Sequence, residues 1–383
     1  MTDLIFYVLA SVALVSGVLL VYPYLIYPLI LRSLPKRHIR RGCAVAGDGR
    51  QFALLFCAYN EAASIPAKLE NIRALVHRYP GLSVIAFDDA SDDGTADLLK
   101  EAAPLVRLVS GAGRSGKAHG MKKLVAQTDA EYLVFTDANV LLDISALDAL
   151  AACYADPSVG GICGALHYDG DGASSTASVG GTYWRMEERL KDLESETGSV
   201  MGADGSIFSL RRRLYPDFPD HVLDDMTVSM ECIFRGYRLI KANDVVAYER
   251  LVSSRSDEFS RKIRIAARAM STHMYLAKQL RKLSAAEKFR YISHKLIRWF
   301  GAIFLAVCMV SGLAALGMLS LGYAILFAAV LAALFAVGLA TKSGIVSSAA
   351  EVVVAMVATL IGVIRALRGK TAVTWSPAKS RST

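Results

Sequence analysis

The stretch Phe135-Thr136-Asp137-Ala138-Asn139 ends a short apolar run that begins at Tyr132. The run has the length and composition of a buried strand, and it delivers a carboxylate and a carboxamide to the carboxyl end of that strand. Ligands of open α/β sheets bind outside the carboxyl ends of the strands, and oxygen ligands suit a hard divalent cation that bridges phosphates. A strand followed by an Asx-type turn explains the segment equally well, so the choice depends on the rest of the chain.

Strand and helix patterns alternate between about Gln51 and Asp257, which predicts an α/β domain with a mostly parallel sheet. The first strand ends at Tyr59-Asn60-Glu61, and the second ends at the acidic segment Asp88-Asp89-Ala90-Ser91-Asp92-Asp93. Because this acidic segment and Asp137 both follow strands, we expect them at one edge of the sheet, as in a nucleotide site. A solvated helix-capping loop is the alternative for Asp88 to Asp93.

Three later segments add candidates. The glycine-rich run Ser110 to Lys117 allows close approach of the backbone to phosphates, although Ala118 follows Lys117 and the run is therefore not a Walker A loop. Small residues around Asp204-Gly205 would let a bulky ligand pass close to the backbone, and an edge strand or a bulge explains them equally well. Asp224-Asp225 opens a predicted helix, where carboxylates are favourable in any case.

The chain is strongly apolar, with 54% hydrophobic residues and a mean hydropathy of +0.37. Leu4 to Leu31 is long enough for one membrane span, and Phe300 to Ala340 with Ile345 to Ile364 is most simply three more. A signal peptide is the alternative for the first stretch, but this stretch lacks a basic n-region and a clear cleavage site. The basic residues that follow it place the next domain in the cytoplasm by the positive-inside rule. They are Arg32, Lys36, Arg37, Arg40 and Arg41.

Three C-terminal spans would leave the basic tail, with Arg365, Arg368 and Lys370, outside the cytoplasm. Either the tail is tolerated there, or one segment lies in the interface or re-enters. The expected division is then an N-terminal span (1–33), a basic linker (34–50), an α/β domain (51–257), amphipathic interfacial helices (258–298), C-terminal spans (299–367) and a basic tail (368–383).

Charge and cysteine content exclude some functions. The net charge of +8 is concentrated beside the apolar segments, which indicates attraction to anionic membrane lipids and not to nucleic acid. The six cysteines show no paired metal-ligand spacing, as expected of buried thiols in a reduced compartment. Glu187 and Glu194 lie in a predicted helix of mixed charge, and we interpret them as part of a solvated face.

Taken in order, these motifs resemble those of the inverting family 2 glycosyltransferases of the GT-A fold, in particular the bacterial membrane-bound members. The resemblance spans roughly Phe52 to Arg268. It extends weakly to Ser293-His294-Lys295-Leu296-Ile297-Arg298-Trp299, and the terminal Thr374-Trp375-Ser376-Pro377 is similar to the tails of these members. It implies a multi-pass protein of the bacterial inner membrane with its GT-A domain in the cytoplasm.

The resemblance also implies roles for individual residues. Asp225 would be the general base. Asp137 and Asn139 would hold Mg²⁺ or Mn²⁺ at the diphosphate of a nucleotide sugar, with a UDP-sugar as the favoured donor. The residues assigned to the nucleotide and donor are Tyr59, Glu61, Asp88, Asp89, Lys117, Asp137 and Arg264. Those assigned to the acceptor side are Asp204, Gly205, Asp224 and Arg261.

Two departures from the family pattern guide the functional hypothesis. Asn139 stands where a second carboxylate is more usual, and Ile265 stands where processive members carry a tryptophan after the motif arginine. We therefore expect transfer of a single sugar to a lipid-linked or glycan acceptor at the membrane. A processive polysaccharide synthase with a channel is the first alternative, and a catalytically weak scaffold that keeps the fold is the second. The sequence does not decide the oligomeric state.

Overall fold

The computed structural model describes residues 2–42, 51–169, 175–250, 255–341, 344–371 and 374. The end of the predicted basic linker (43–50) and nearly all of the C-terminal segment that carries the family-like tail (375–383) lie outside the described residues.

The α/β domain contains one eight-stranded sheet. Its strands are β1 (Phe52–Ala58), β2 (Ser83–Asp88), β3 (Arg107–Ser110), β4 (Tyr132–Asp137), β5 (Val140–Leu142), β6 (Val159–Asp169), β7 (Ile207–Arg211) and β8 (Arg238–Arg250). The helices up to the end of this region are α1 (Thr2–Val21), α2 (Ile26–Ser33), α3 (Ile65–Arg78), α4 (Thr95–Glu101), α5 (Lys117–Val125), α6 (Ala146–Tyr154), α7 (Ser175–Thr197) and α8 (Asp224–Phe234). A turn of 3-10 helix covers Arg212–Leu214.

The strand order is β3-β2-β1-β4-β7-β6-β8-β5. The pairs among β1 to β4 are all parallel, as the alternation of strands and helices predicts. Antiparallel β7 lies between β4 and β6, so the sheet is mixed overall. The α/β fold class is confirmed, and the parallel half of the sheet carries the predicted acidic segments at its carboxyl edge.

Both faces of the sheet are covered. Along β1, Leu55 and Cys57 pack into one apolar cluster with helix α5, while Leu54 and Phe56 pack into another with α3. The continuous apolar run of β1 follows from this arrangement, because a strand buried on both faces has no polar side.

Helix α5 lies unusually close to the sheet. A Cβ added at Gly120 would lie 2.5 Å from Phe87 Cδ1 and 2.6 Å from Cys57 Sγ. Only glycine fits at this crossing, and the contact fixes the start of α5, at Lys117, above β1 and β2.

The C-terminal part is helical. It comprises α9 (Arg255–Tyr275), α10 (Ala277–Leu280), α11 (Ala285–Tyr291), a π-helical turn (Ile292–Leu296), α12 (Ile297–Trp299), α13 (Gly301–Leu319), α14 (Leu321–Ala340) and α15 (Ile345–Leu367). Among the described residues, α1, α13, α14 and α15 are long and apolar enough to cross a membrane. This composition indicates a membrane-associated protein.

Candidate active site

The predicted site residues follow three neighbouring parallel strands. Ala58 of β1 pairs with Asp88 of β2, and Cys57 pairs with Asp137 of β4. The segments that begin at Tyr59, Asp89 and Ala138 therefore leave the sheet side by side. The expectation that both acidic segments open on one edge is confirmed.

Asp89 organises the glycine-rich segment before α5. Its carboxylate is fully buried and accepts hydrogen bonds from the Ser115 N–H at 2.7 Å, the Ser115 hydroxyl at 2.9 Å and the Gly116 N–H at 3.0 Å. Arg114 pairs with the same carboxylate at 3.1 Å, and its guanidinium lies over the Tyr59 ring, 3.2 Å from the ring centre. One carboxylate thus joins the segments that follow β1, β2 and β3. Its predicted contact with a nucleotide base stays a prediction.

The remaining acidic residues of this segment are largely engaged in local structure. Asn60, at φ 53°, donates to Asp92 at 2.7 Å, and Asp93 accepts from the Ala62 N–H and the Thr95 hydroxyl. These hydrogen bonds outweigh burial and lower the pKa of Asp93. The helix-capping alternative is therefore correct for Asp93, which explains how several carboxylates are tolerated together.

Asp88 and Glu61 complete this side of the site, and both are buried. Asp88 Oδ2 accepts from the Ser91 N–H at 3.3 Å, and Asp88 Oδ1 is buried without a hydrogen-bond partner among the described residues. Glu61 accepts from the Ser64 hydroxyl at 3.2 Å. Buried polar atoms normally have partners, so Asp88 Oδ1 marks a place where a ligand donor could be accommodated.

Lys117 is the centre of the site. Its ammonium donates to Asp137 Oδ1 at 2.6 Å and to the Gly205 carbonyl at 3.2 Å. A Cβ added at Gly205 would lie 2.9 Å from this ammonium and 3.1 Å from Asp225 Oδ2. Burial lowers the pKa of Lys117, but the carboxylates of Asp137, Asp224 and Asp225 outweigh it and raise that pKa above its ordinary value.

Asp225 has the properties of a base that works near neutral pH. It is half-buried at the start of α8, where its Oδ1 accepts from the Met226 N–H at 2.6 Å. Burial and the neighbouring Asp224 carboxylate raise its pKa to about 7, although Lys117 and Arg268 act in the opposite direction. A general base is most effective when its pKa lies near the working pH.

The Asp137-Ala138-Asn139 segment is held from two sides. The Asn139 amide donates to Glu249 Oε1 of β8 at 2.9 Å. Beneath the segment, the fully buried Lys68 donates to the Val140 carbonyl. Burial lowers the pKa of Lys68 to about 7, and Asp137 opposes the shift. Glu249 and Lys68 could not be identified from the sequence, because Glu249 is 110 residues from Asn139 and Lys68 has the spacing of an ordinary surface lysine of an amphipathic helix.

The described residues supply only part of the ligand set that a divalent cation needs. Asp137 Oδ2 and Asn139 Oδ1 have no hydrogen-bond partner among the described residues, and Asp137 is partly exposed. The described part of the chain has no group of three or more His, Cys, Asp or Glu side chains suited to a metal. Mg²⁺ and Mn²⁺ keep several waters or substrate oxygens, so this small donor set fits a cation bound mainly through phosphates.

Helix α9 brings arginines to the same region. Arg261 pairs with Glu258 at 2.7 Å, and Arg268 donates to the Val222 carbonyl at 2.6 Å beside Asp224. Arg264 has no ion-pair partner among the described residues. Burial and repulsion from Arg268 and Arg261 lower its pKa to about 10, and Asp137 opposes the shift. Arg264 is thus the arginine best suited to an anionic ligand.

The loop before β7 is anchored by contacts that do not involve Asp225. Asp204 pairs with Lys191 of α7 at 2.6 Å, and the Ala203 N–H donates to the Ser229 hydroxyl at 2.9 Å. These contacts fix the backbone of the loop, including the Gly205 carbonyl that meets Lys117. β7 itself lies inside the sheet, so the edge-strand alternative for this segment is wrong.

The interpretation of Glu187 and Glu194 as a solvated face is also wrong. Both are buried, and they bind opposite nitrogens of the buried His294 ring at 2.7 Å and 2.9 Å. Tyr27 of α2 donates to Glu194 at 2.7 Å, and Arg298 pairs with Glu187. This network joins α2, the π-helical turn and α12 to helix α7 of the α/β domain. The partners are 100 to 167 residues apart in sequence, and for that reason the charge pattern of α7 alone did not reveal them.

The chain is similar in fold to a solved structure of a known protein. A mannosyltransferase, PcManGT from Pyrobaculum calidifontis, solved with GDP-Man and Mn²⁺, is 23% identical over 94% of this chain and 99% of its own, with a TM-score of 0.75. Glucosyl-3-phosphoglycerate synthase from Mycobacterium tuberculosis, solved with Mn²⁺, UDP-Glc and phosphoglyceric acid, is 16% identical over 62% of this chain and 87% of its own, with a TM-score of 0.44. A search among curated proteins gave no significant match.

The family model of Glycosyl transferase family 2 matches residues 54–218. This range begins within β1, includes β2 to β7 with Asp89, Lys117 and Asp137, and ends before Asp225. The chain therefore carries a glycosyl transferase family 2 domain of the GT-A fold and is a glycosyltransferase.

Proposed function

We propose that the chain moves one sugar from a nucleoside diphosphate sugar to a lipid-linked or membrane-proximal acceptor, with inversion at the anomeric carbon. The observation that supports this proposal best is the convergence of Lys117, Asp137 and Asp225 around the Gly205 backbone. The Lys117 cation and the Asp137 and Asp225 carboxylates lie together at one edge of the sheet. This set of charges suits a diphosphate leaving group on one side and an acceptor hydroxyl on the other.

Each side chain has a role in this scheme. The Asp225 carboxylate takes the proton of the acceptor hydroxyl as the hydroxyl oxygen attacks the anomeric carbon. The Lys117 ammonium and the Arg264 guanidinium stabilise the negative charge that develops on the departing diphosphate. Tyr59, with Arg114 over its ring, forms a stacked wall for the nucleotide.

A divalent cation would be held by Asp137 and Asn139 and would neutralise further charge on the diphosphate. Mn²⁺ and GDP-Man occur together in the structure of the Pyrobaculum mannosyltransferase, which supports a divalent cation without choosing between Mg²⁺ and Mn²⁺. We propose a UDP-sugar as the first donor to test and GDP-mannose as the second, because GDP-Man is the ligand of a structural neighbour that covers 94% of this chain.

The site of action would be the cytoplasmic face of the bacterial inner membrane, in exopolysaccharide, capsule or glycolipid synthesis. The apolar helices and the basic residues beside them support this location. A processive synthase is disfavoured because Ile265 of α9, at the position of the stacking tryptophan, offers no aromatic face to an acceptor sugar. A scaffold is disfavoured because Lys117 contacts Asp137 and lies with Asp225 around the Gly205 backbone.

The proposal is tested by sugar transfer with purified protein in detergent, native lipids, Mg²⁺ or Mn²⁺, and a panel of UDP-, GDP- and dTDP-sugars. Asp225→Asn should lower kcat by roughly 10²–10⁴-fold, the usual contribution of a general base, while nucleotide still binds. Asp137→Ala should remove metal-dependent nucleotide binding. The control is Asp217→Asn, which makes the same chemical change at an exposed position outside the site.

Failure of every donor to react or to bind with metal would contradict the proposal and favour the scaffold. Products that carry many added sugars would favour the processive synthase instead.

The pKa of Asp225 gives a second prediction. Because the protonated carboxyl cannot accept a proton, kcat/KM should fall about tenfold per pH unit below an apparent pKa of about 7. Asp224→Asn removes a neighbouring negative charge, so the acid limb of the profile should move to lower pH. Asp217→Asn should leave it in place. An acid limb that does not respond to Asp224→Asn would show that Asp225 is not the group that titrates.

The hydrogen bond between Asn139 and Glu249 gives a third prediction. Asn139→Asp would place two carboxylates within about 2.9 Å, so it should not tighten Mn²⁺ binding on its own. Combined with Glu249→Gln, which restores a donor between the two side chains, it should tighten that binding. The double-mutant cycle, measured by Mn²⁺ electron paramagnetic resonance with a nucleoside diphosphate present, should give a coupling free energy of about 0.5–3 kcal/mol. Additive effects would mean that this contact does not set the metal affinity.

A further inference from the structure

Helices α1, α13 and α14 are similar in length and form one layer. A Cβ added at Gly17 would lie 3.5 Å from Cys308 Sγ, and one added at Gly312 would lie 3.8 Å from Ala13 Cβ, so α1 and α13 run antiparallel. Gly317 faces Ala324, and the single residue Ser320 connects α13 to α14. Each helix has 19 or 20 residues, which at 1.5 Å per residue matches the roughly 30 Å hydrocarbon core.

The α/β domain lies at one end of this layer. Trp299, two residues before the start of α13, is buried in the apolar core of that domain. The start of α13 and the ends of α1 and α14 are therefore on the domain side, and the start of α1 is on the opposite side.

Helix α15 does not continue this layer. It begins beside the end of α14, where a Cβ added at Gly338 would lie 2.6 Å from the Val346 carbonyl. A helix that crossed back from there would carry Met356 about 16 Å into the bilayer. Instead, the Met356 side chain lies 3.7 Å from the Cβ position of Gly301, the first residue of α13. The middle of α15 is thus still level with the domain side of the layer.

The second half of α15 is packed into the α/β domain. A Cβ added at Gly362 would lie 2.5 Å from the Ile263 carbonyl and 2.9 Å from the Ala267 N–H nitrogen, so α15 touches the backbone of α9. Val363 and Ala366 are 1% and 2% exposed and belong to the same apolar core as the sheet. The C-terminal end of α15 is therefore on the same side of the layer as the catalytic domain.

The opposite face of α15 is apolar and exposed. Its exposed residues include Ile345, Val352, Val357, Ile364 and Leu367. Arg365, Arg368 and Lys370 are exposed at its C-terminal end. An apolar face with cations at its edge is the pattern of a helix that lies in the headgroup region of an anionic membrane.

We propose that the chain crosses the membrane three times, through α1, α13 and α14, and that α15 lies on the catalytic side at the lipid surface. The outer face of α15 enters the boundary between headgroups and acyl chains, continuous with the end of α14, and its basic end meets anionic headgroups. This arrangement puts the described part of the basic tail on the catalytic side, which removes the conflict with the positive-inside rule. It also ties α9, with Arg264, to the membrane surface where a lipid-linked acceptor resides.

The topology is tested by labelling introduced cysteines with a membrane-impermeant maleimide in intact spheroplasts and in inside-out vesicles. Thr374→Cys should be labelled from the same side of the membrane as Lys123→Cys, an exposed position of the catalytic domain. Thr2→Cys should be labelled from the opposite side. The parent protein provides the background from the native cysteines, of which Cys57, Cys153, Cys163 and Cys232 are buried. Labelling of Thr374→Cys on the same side as Thr2→Cys would overturn the proposal, since α15 would then cross the membrane.

Lipid contact is tested separately with a fluorophore on Val357→Cys, in phosphatidylcholine and phosphatidylglycerol vesicles that carry a nitroxide at acyl carbon 5 or 12. The shallow nitroxide should quench this position more strongly than the deep one. Val330→Cys, exposed in the middle of α14, should show the opposite preference. Equal or absent quenching at Val357→Cys would mean that protein, such as a second copy of the chain, covers the face, and it would refute contact with lipid. Neither measurement depends on transferase activity.

Discussion

The rest of the site depends on the interactions of the Lys117 ammonium with the carboxylates and the backbone around it. It meets Asp137 at the end of β4, the Gly205 backbone before β7, and the charges of Asp224 and Asp225 at the start of α8. Without this cation, the clustered carboxylates would repel one another in a partly buried place. Without the carboxylates, burial would favour loss of the lysine proton. Each group therefore stabilises the charged form of the others, and segments far apart in sequence are held at one point.

Much of this arrangement could be predicted from the sequence, because local patterns determine it. The parallel register brings Asp88 and Asp137 to one edge as soon as β1, β2 and β4 are recognised as neighbours. The bounds of α8 follow from its acidic start at Asp224 and from Gly236, at φ 79°, after its end. Other contacts could not be predicted, because their partners meet only in the folded chain. Glu249 reaches Asn139 across the sheet, and Glu187 and Glu194 look solvated until His294 is placed between them.

Helix α15 shows the same limit for the membrane part. Its composition is that of a spanning helix, and composition alone counts four candidates among the described residues. Its position is decided by close contacts at small residues, above all Gly362 against the backbone of α9. A periodic pattern indicates that one face is buried, but it does not say whether lipid or protein covers that face. The contact with α9 shows that protein covers the inner face of α15. In the proposed arrangement the membrane covers the outer face.

The central claim is direct displacement at the anomeric carbon with Asp225 as the base. Proton nuclear magnetic resonance of the product as it forms reports its anomeric configuration through the coupling constant of the anomeric proton. The account predicts that the configuration is opposite to that of the donor, because the acceptor attacks from the face away from the diphosphate. A product with the configuration of the donor would contradict it, since retention requires either a covalent intermediate or attack from the same face.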